Sequence, residues 1–292
     1  MDMSIFLQLA VSGVLLGGIY ALVAFGLSLI YGVVRILNFA HGTLLAVGGI
    51  AASIGFTSLG LSPVVSAVIL VVVLGLLGRA FFQFLLQPLQ SRRHTEMEVG
   101  MVLVTVGALL IMSDLAAFLA GPTPRSIPIR FEPLEIGDVI LSTTQLYALG
   151  GIILLTILLQ LFLRKSWFGR AIRAVSQDPL SASLCAVPGK ALHGNTFAFG
   201  CALVAVASVL YAMMFPVDPY MGFALTVKAF TIIVLGGIGN LTGTLIAGIL
   251  LGVAESLGAF ILGSEWAPAI SIVLLLFLLI VRPQGLFGSK AA

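Results

Sequence analysis

Charged residues are scarce in this sequence. Only 9% of its 292 residues are Asp, Glu, Lys or Arg, whereas 60% are hydrophobic. Soluble domains carry about 25% charged residues, and a soluble chain this poor in charge would expose extensive apolar surface to water. The scarcity therefore excludes a soluble globular enzyme, a disordered chain and a nucleic-acid-binding protein. A lipid bilayer is the environment that such a chain fits.

Cysteine and histidine are scarce too. The two cysteines, Cys185 and Cys201, are not spaced as metal ligands, and three histidines far apart offer no helical pair for zinc. The sequence also lacks the Gly-x-x-x-x-Gly-Lys-Ser/Thr phosphate loop and the Gly-x-Ser-x-Gly nucleophile elbow. We therefore expect no metal, no cofactor and no enzymatic site in this chain.

Apolar runs of roughly 20 residues, long enough to cross a bilayer, dominate what is present. Backbone polar groups in lipid are satisfied only in helices or closed barrels, and barrel strands alternate apolar with polar residues, which these runs do not. The sequence predicts an all-α, polytopic transmembrane helical bundle with eight or nine segments. The run at residues 224–235 would span only about 18 Å of a core about 30 Å thick, so it is either extended at both ends or re-entrant.

The placement of Lys and Arg predicts the orientation. Basic residues lie around Arg92 and Arg93, within residues 164–193 and after residue 281, and such residues concentrate on the cytoplasmic side. All three sites are cytoplasmic if the chain crosses nine times, with its N-terminus outside and its C-terminus in the cytoplasm. We expect one transmembrane domain over residues 1–292, a cytoplasmic loop at 164–193 and an outer loop at 121–142. No positive charge precedes the first run, so it is expected to be retained rather than cleaved as a signal peptide.

Two stretches of the chain resemble each other. Residues 38–46 and 240–247 both begin with Asn, and each follows a Gly-Gly-Ile motif. Transporters are often built from inverted repeats, and glycine-interrupted segments at matching positions point to the transport path. An inverted repeat with a broken helix is one interpretation, and chance similarity between glycine-rich apolar sequences is the other.

A few polar residues lie within or beside the apolar runs. Charged groups inside a bilayer are costly and usually functional, which favours a polar surface that lines or gates a path. In the structural interpretation, Arg79 and Lys228 reach towards the headgroups, and Arg35 is one of the basic residues that concentrate on the cytoplasmic side. His41 then ties helices together, whereas Glu255 fits either role. The path candidates are Tyr20, Asn38, His41, Thr43, Lys228, Gly236, Gly237, Asn240 and Glu255.

The cytoplasmic loop at residues 164–193 contains a predicted short helix. Asp178 followed by Pro179 is typical of a helix start, with Asp as the cap and Pro in the first turn. Leu180, Leu184 and Val187 then recur at helical spacing. A short amphipathic helix suits docking to a partner protein, although it also suits a helix that lies on the lipid headgroups.

Several motifs spread over the chain together resemble one known family. They are Gly17-Gly18-Ile19-Tyr20-Ala21-Leu22, Asn38-Phe39-Ala40-His41-Gly42, the segment 169–182, Lys228-Ala229-Phe230, Val234-Leu235-Gly236-Gly237-Ile238-Gly239-Asn240, Gly252-Val253-Ala254-Glu255-Ser256 and Arg282-Pro283-Gln284-Gly285-Leu286-Phe287-Gly288. In this order they resemble the membrane-spanning permease subunits of bacterial branched-chain amino acid ABC importers.

The resemblance implies a multi-pass permease subunit of a bacterial inner membrane that moves branched-chain or other hydrophobic amino acids by alternating access. It implies as partners a second permease subunit, identical or homologous, two cytoplasmic subunits that bind the ATP, and an extracytoplasmic substrate-binding protein. It also makes residues 164–193 a coupling loop. The residues implied in coupling to the ATPases are Arg170, Arg173, Ser176, Gln177, Asp178, Pro179 and Ala182.

Other functions stay open. Relatives in the family move urea, amides or aromatic acids, and Thr43 stands where members often carry an acidic residue, which leaves the substrate open. An ATP-independent channel or secondary transporter would need no ATPase, and Glu255 would then suit ion coupling. A sugar permease of the broader superfamily is expected to carry more polar and aromatic groups along its path.

Overall fold

The computed structural model describes residues 3–91, 94–129, 134–136, 139–141, 143–282 and 285–287, and most of them are helical. The helices are α1 Met3–Val34, α2 His41–Leu59, α3 Pro63–Phe81, α4 His94–Ala120, α5 Thr143–Lys165, α6 Trp167–Gln177, α7 Pro179–Leu184, α8 Gly189–Met214, α9 Gly222–Gly236, α10 Leu241–Leu262 and α11 Ala267–Val281. Helix α3 continues as a π-helical turn, Phe82–Leu86, and a 3-10 turn, Gln87–Ser91, and a 3-10 turn, Ser264–Trp266, precedes α11. The outer loop contains a short antiparallel pair, β1 Leu134–Ile136 and β2 Val139–Leu141.

Seven helices among the described residues are long and apolar enough to cross a membrane, and the segments Gly222–Gly236 and Ala269–Val281 are shorter apolar helices. These seven long and two short segments confirm the predicted polytopic helical bundle. Arg92 and Arg93, on which the orientation partly rests, lie outside the described residues, as do Pro283, Gln284 and parts of the outer loop. The sidedness of the termini therefore stays a prediction.

Helix α1 forms the centre of the bundle. Its residues 17–30 are all buried, and α10 and α8 pack closely against it. A Cβ added at Gly17 would lie 2.4 Å from the carbonyl oxygen of Gly248 in α10, and one at Gly26 would lie 2.6 Å from that of Gly200 in α8. In a membrane, helices gain stability from such close packing of small residues, because lipid provides no hydrophobic force between them. Glycines at these contacts therefore allow the close packing of helices at the centre of the bundle.

The contact of α1 with α10 gives a testable expectation. We expect Gly17→Ala to lower the free energy of unfolding by about 1–3 kcal/mol, because the added methyl group overpacks a rigid backbone contact. Gly107→Ala on α4 is the matched control, since a Cβ there meets no atom within 4 Å. The measurement is the thermal unfolding midpoint of each variant, purified in detergent. Equal midpoints would contradict the conclusion that close packing of α1 against α10 stabilises the bundle.

Helix α2 begins inside the bundle instead of at the end of α1. After α1, Arg35 adopts a left-handed backbone conformation with φ of 56°, which is uncommon for a residue other than glycine. Residues 35–40 are not helical. His41, the first residue of α2, then places its Nε2 atom 3.1 Å from the carbonyl oxygen of Val23, near the middle of α1. The chain therefore turns back into the bundle before α2 starts.

Helix α9 is also preceded by a non-helical stretch, residues 215–221. Val217 pairs with Arg125 of the outer loop through two backbone hydrogen bonds. Gly222, the first residue of α9, already lies against Thr43 of α2, because a Cβ added at Gly222 would be 2.4 Å from the Thr43 Oγ1 atom. Helix α9 has 15 residues, three more than the apolar run at 224–235 and about 22 Å in length, so the extended and the re-entrant interpretations both stay predictions. It starts beside the start of α2.

Candidate functional site

A buried ion pair connects helices α9 and α10. The Lys228 Nζ atom lies 2.8 Å from Glu255 Oε2, and Lys228 also donates a hydrogen bond of 2.8 Å to the Tyr20 hydroxyl of α1. The ammonium group is 4.7 Å from the centre of the Tyr20 ring. Ser271 of α11 donates a hydrogen bond to the other carboxylate oxygen, Glu255 Oε1. Side chains of four helices therefore meet at this ion pair.

Burial distinguishes the two members of the pair. Glu255 is 1% exposed, whereas the Lys228 side chain is 14% exposed. Both carboxylate oxygens of Glu255 accept hydrogen bonds, so this residue is held within the protein. Lys228 does not extend away towards the headgroups, as one interpretation of the sequence had it. Lys228 is therefore the more exposed member of the pair.

The starts of α2 and α9 form a second cluster. The Gly42 backbone N–H donates a hydrogen bond of 2.8 Å to the Thr226 hydroxyl, and that hydroxyl donates to the carbonyl oxygen of Phe39 at 2.9 Å. A Cβ added at Gly42 would lie 2.1 Å from the Gly222 carbonyl oxygen. The first turn of a helix carries unpaired N–H groups and a partial positive charge. Two such ends therefore meet in the bundle interior.

Thr226 did not stand out in the sequence, although it lies two residues before Lys228. A threonine in an apolar run is common, and nothing in the sequence says that its hydroxyl faces the start of another helix. Among the described residues, the buried Nδ1 of His41 and Oγ1 of Thr43 have no hydrogen-bond partner. The second cluster therefore combines helix N-termini with two unpaired buried polar atoms.

Two apolar cavities lie beside Asn38, which precedes α2 and accepts a hydrogen bond from the Ala40 backbone N–H at its Oδ1 atom. The smaller cavity, of about 160 Å³, lies between α1 and α9. Its lining residues are Leu27, Leu37, Asn38, Phe39, Thr226, Val227 and Phe230. The larger cavity, of about 500 Å³, lies between α2, α3, α4 and α8. Both cavities have almost wholly apolar walls, and the larger one has the volume of about 300–1,000 Å³ that is typical of small-molecule sites.

The glycine cluster at the end of α9 lies apart from these groups. Gly236 ends α9, and Gly237 and Gly239 adopt φ of 90° and 78°. Asn240 then caps α10, because its Oδ1 accepts a hydrogen bond of 3.0 Å from the Gly243 backbone N–H. Gly236 is two helical turns beyond Lys228, about 12 Å along the axis. The predicted path residues therefore fall into three clusters: the ion pair, the starts of α2 and α9, and the α9–α10 junction (residues 236–240).

In the loop at residues 164–193, Arg170 and Arg173 bind the end of α5. Arg173 donates to the carbonyl oxygens of Leu163 and Arg164 at 2.5 and 3.4 Å, and Arg170 donates to that of Lys165 at 3.1 Å. Basic side chains at a helix C-terminus satisfy its unpaired carbonyls and interact favourably with its dipole. Here they fix the angle between α5 and α6.

Asp178 ends α6 and begins α7. Its Oδ1 atom accepts hydrogen bonds from the backbone N–H groups of Leu180 and Ser181 at 2.9 and 3.2 Å, and its Oδ2 atom accepts one from the Ser181 hydroxyl at 2.5 Å. The Ser181 hydroxyl in particular, together with the backbone bonds, holds the pKa of the Asp178 carboxyl below its usual value. The cap therefore stays charged at neutral pH. Pro179 occupies the first turn, as the sequence predicted.

Helix α7 presents apolar side chains to its surroundings. Leu180 and Leu184 are 72% and 81% exposed, whereas Ala182 is buried against the bundle. Gln177 ends α6. Ser176 of α6 approaches α1, because a Cβ added at Gly32 would lie 3.9 Å from the Ser176 Oγ atom. The short helix is thus held on one side and open on the other.

Comparison with known proteins gives consistent matches over nearly the whole chain. The sequence model of the family described as "Branched-chain amino acid transport system / permease component" matches residues 9–281. The chain is 32% identical to the high-affinity branched-chain amino acid transport system permease protein BraD of Pseudomonas aeruginosa, with 97% of this chain and 96% of the relative covered. It is 30% identical, with the same coverage, to the high-affinity permease protein LivH of Escherichia coli (strain K12).

One solved structure shows a similar fold. The chain matches "PsaBC from Streptococcus pneumoniae in complex with Fab" with a TM-score of 0.53 and 16% sequence identity, over 97% of this chain and 94% of that chain. At this identity the match supports the arrangement of helices alone.

Proposed function

This chain belongs to the family of permease components of branched-chain amino acid transport systems, and from that premise we propose that it is the membrane-spanning subunit of a bacterial ABC importer. It moves branched-chain or other hydrophobic amino acids across the inner membrane by alternating access. It catalyses no reaction itself, and partner subunits bind and hydrolyse the ATP. The chain's own contribution is the path and the surfaces that connect the path to its partners.

The proposal rests on one observation: the N-terminal ends of α2 and α9 are in contact beside the cavity of about 160 Å³. Broken helices whose N-termini point at a site near the middle of the membrane bind anionic groups in transporters. Leu27, Phe39 and Phe230 provide an apolar wall for an aliphatic side chain. We expect the carboxylate of the amino acid to bind near the helix starts and its side chain to face this wall.

In the arrangement seen, the Thr226 hydroxyl occupies the Gly42 N–H at 2.8 Å. It stands where a carboxylate oxygen of the substrate would accept the same hydrogen bond. Separation of α9 from α2 exposes this N–H, together with the buried Thr43 hydroxyl and the His41 ring. Alternating access therefore includes a movement of α9 against α2, and the ion pair carries the same movement to α10 because it connects Lys228 to Glu255.

The coupling loop provides the cytoplasmic end of this movement. Helix α7 presents Leu180 and Leu184 to a cytoplasmic ATP-binding subunit, while Arg170 and Arg173 hold α6 to the end of α5. The full assembly contains two such ATP-binding subunits, a second permease subunit, identical or homologous, and an extracytoplasmic binding protein that docks on the outer loop.

Uptake by cells that carry this chain with the other subunits of its transport system tests the proposal. We expect uptake of radiolabelled leucine that competes with valine and isoleucine and disappears when the partner ATPase is inactivated by substitution of its catalytic glutamate. Uptake that survives this inactivation would instead indicate a channel or secondary transporter. Competition by urea, an amide or an aromatic acid, but not by valine, would assign another substrate of the same family.

A further inference from the structure

The C-terminal residues 285–287, which we call the C-terminal strap, lie across the junction between α9 and α10. The Leu286 backbone N–H donates a hydrogen bond of 2.8 Å to the carbonyl oxygen of Leu235, in the last turn of α9. The Asn240 side chain donates a hydrogen bond of 3.1 Å from Nδ2 to the carbonyl oxygen of Phe287. The strap is therefore bonded to the end of one helix and to the residue that caps the next.

The first residue of the strap, Gly285, lies so close to the junction that it has no room for a side chain. Gly285 adopts φ of 81°, which strongly favours glycine. A Cβ there would lie 2.6 Å from the Val234 carbonyl oxygen and 2.8 Å from the Gly237 nitrogen. Leu286 packs against the hydrophobic core. The strap is thus anchored by main-chain contact, by a conformation suited to glycine and by an apolar side chain.

The junction itself has the composition of a hinge. Gly237 and Gly239 both have positive φ, and residues without a side chain allow large changes of backbone angles. Hinges in proteins are a few residues at the ends of elements that absorb such changes. The strap forms one hydrogen bond on each side of these glycines, to Leu235 and to Asn240, and therefore holds the two ends of the junction.

The strap also faces the coupling loop. Phe287 and Asn240 line a partly polar pocket of about 410 Å³, and Arg164, Gly169 and Arg173 of the α5–α6 region line the same pocket. Phe287 lies over the start of α10, because a Cβ added at Gly243 would be 3.1 Å from the Phe287 Cβ atom. The strap therefore lies between the α9–α10 junction and the loop that receives the partner's movement.

We propose that the C-terminal strap and Asn240 are positioning elements that set the α9–α10 junction relative to the coupling loop. Asn240 has two separate roles, since Oδ1 caps α10 and Nδ2 holds the strap. Neither role involves contact with the transported solute. The proposal rests on the proposed function for its transport readout, while the attachment of the strap by Asn240 is independent of it.

Two substitutions separate these roles. Asn240→Asp and Asn240→Ser both keep an oxygen that accepts the Gly243 N–H, whereas neither has the amide donor that reaches Phe287. Using one charged and one neutral variant removes charge as an explanation. Thr242→Ala, in the same first turn of α10, is the control. Each variant is studied as the full chain, by hydrogen exchange of the strap and junction amides and by the kinetics of leucine uptake with the partner subunits present.

We expect faster hydrogen exchange at residues 285–287 and 236–243 in both Asn240 variants. We also expect the maximal uptake rate to fall about fivefold or more, because fivefold is the lower end of typical allosteric coupling. The KM for leucine and the amount of protein in the membrane stay at the wild-type level, which a general folding defect would not allow. Faster exchange with a normal uptake rate overturns the positioning role, and unchanged exchange overturns the attachment by Asn240. If wild-type cells show no ATP-dependent uptake, the proposed function fails, while the exchange result still decides the attachment.

Discussion

Replacement of Glu255 by leucine is expected to remove most of the folded protein from the membrane and to abolish uptake. The Lys228 ammonium would then be left without its carboxylate partner in a site where its side chain is only 14% exposed. Breaking a buried ion pair by removing one partner costs about 3–5 kcal/mol, a large part of the net stability of a protein. Ser271 would also lose the hydrogen bond that connects α11 to the Glu255 carboxylate of α10.

Glu255→Gln is the matched variant. A glutamine also removes the negative charge, but it keeps one oxygen that accepts a hydrogen bond from Lys228 in a side chain of nearly the same shape, so we expect a clearly smaller loss of folded protein than with Glu255→Leu. The amount of protein in the membrane and the thermal midpoint in detergent measure the difference between the two variants. A Glu255→Leu variant as stable as the wild-type protein would make the ion pair incidental to the fold.

The double variant Glu255→Leu with Lys228→Met separates folding from transport. Replacing both members of a buried pair with apolar residues of similar volume is often neutral or stabilising, so we expect the folded protein to return. Uptake by the double variant then reports on the path alone. A folded protein without uptake places the pair in the transport cycle, and a folded protein with normal uptake limits the pair to a structural role.

Much of the membrane architecture was predictable from the sequence, because apolar runs and turn residues act locally. The bundle, the short run before Gly236 and the cap at Asp178 all follow from hydropathy, glycine placement and capping chemistry. The start of α2 inside the bundle was less accessible, since it depends on a left-handed Arg35, a conformation that sequence propensity disfavours. The interpretation of residues 38–46 and 240–247 as an inverted repeat stays a prediction, although both stretches start a helix.

Contacts between distant residues were not predictable in the same way. Lys228 and Glu255 were both singled out, but their pairing depends on how α9 and α10 are rotated about their axes, and the sequence does not specify that rotation. Arg170 and Arg173 were assigned to coupling because the family resemblance implied it, yet their guanidinium groups bind the last carbonyls of α5. Thr226 was missed because a hydroxyl in an apolar run gives no signal about its partner.

Charge placed on the exposed side of α7 is expected to have the second large effect. We expect Leu180→Asp combined with Leu184→Asp to abolish ATP-driven leucine uptake while leaving the permease in the membrane. Both side chains are more than two-thirds exposed, so their replacement removes little internal packing. The two substitutions remove apolar area that a partner would bury, and a charge buried in an interface without a partner is strongly unfavourable.

Ser183→Asp is the control on the same helix, because Ser183 is also exposed and this substitution adds one of the two negative charges without removing a leucine. Copurification of the ATP-binding subunit with the tagged permease measures docking directly, and we expect it to be lost in the double aspartate variant and retained in the control. Retained copurification together with normal uptake in the double variant would exclude α7 as the docking surface. Loss in both variants would show that negative charge near α7 prevents docking whether or not the two leucines are present.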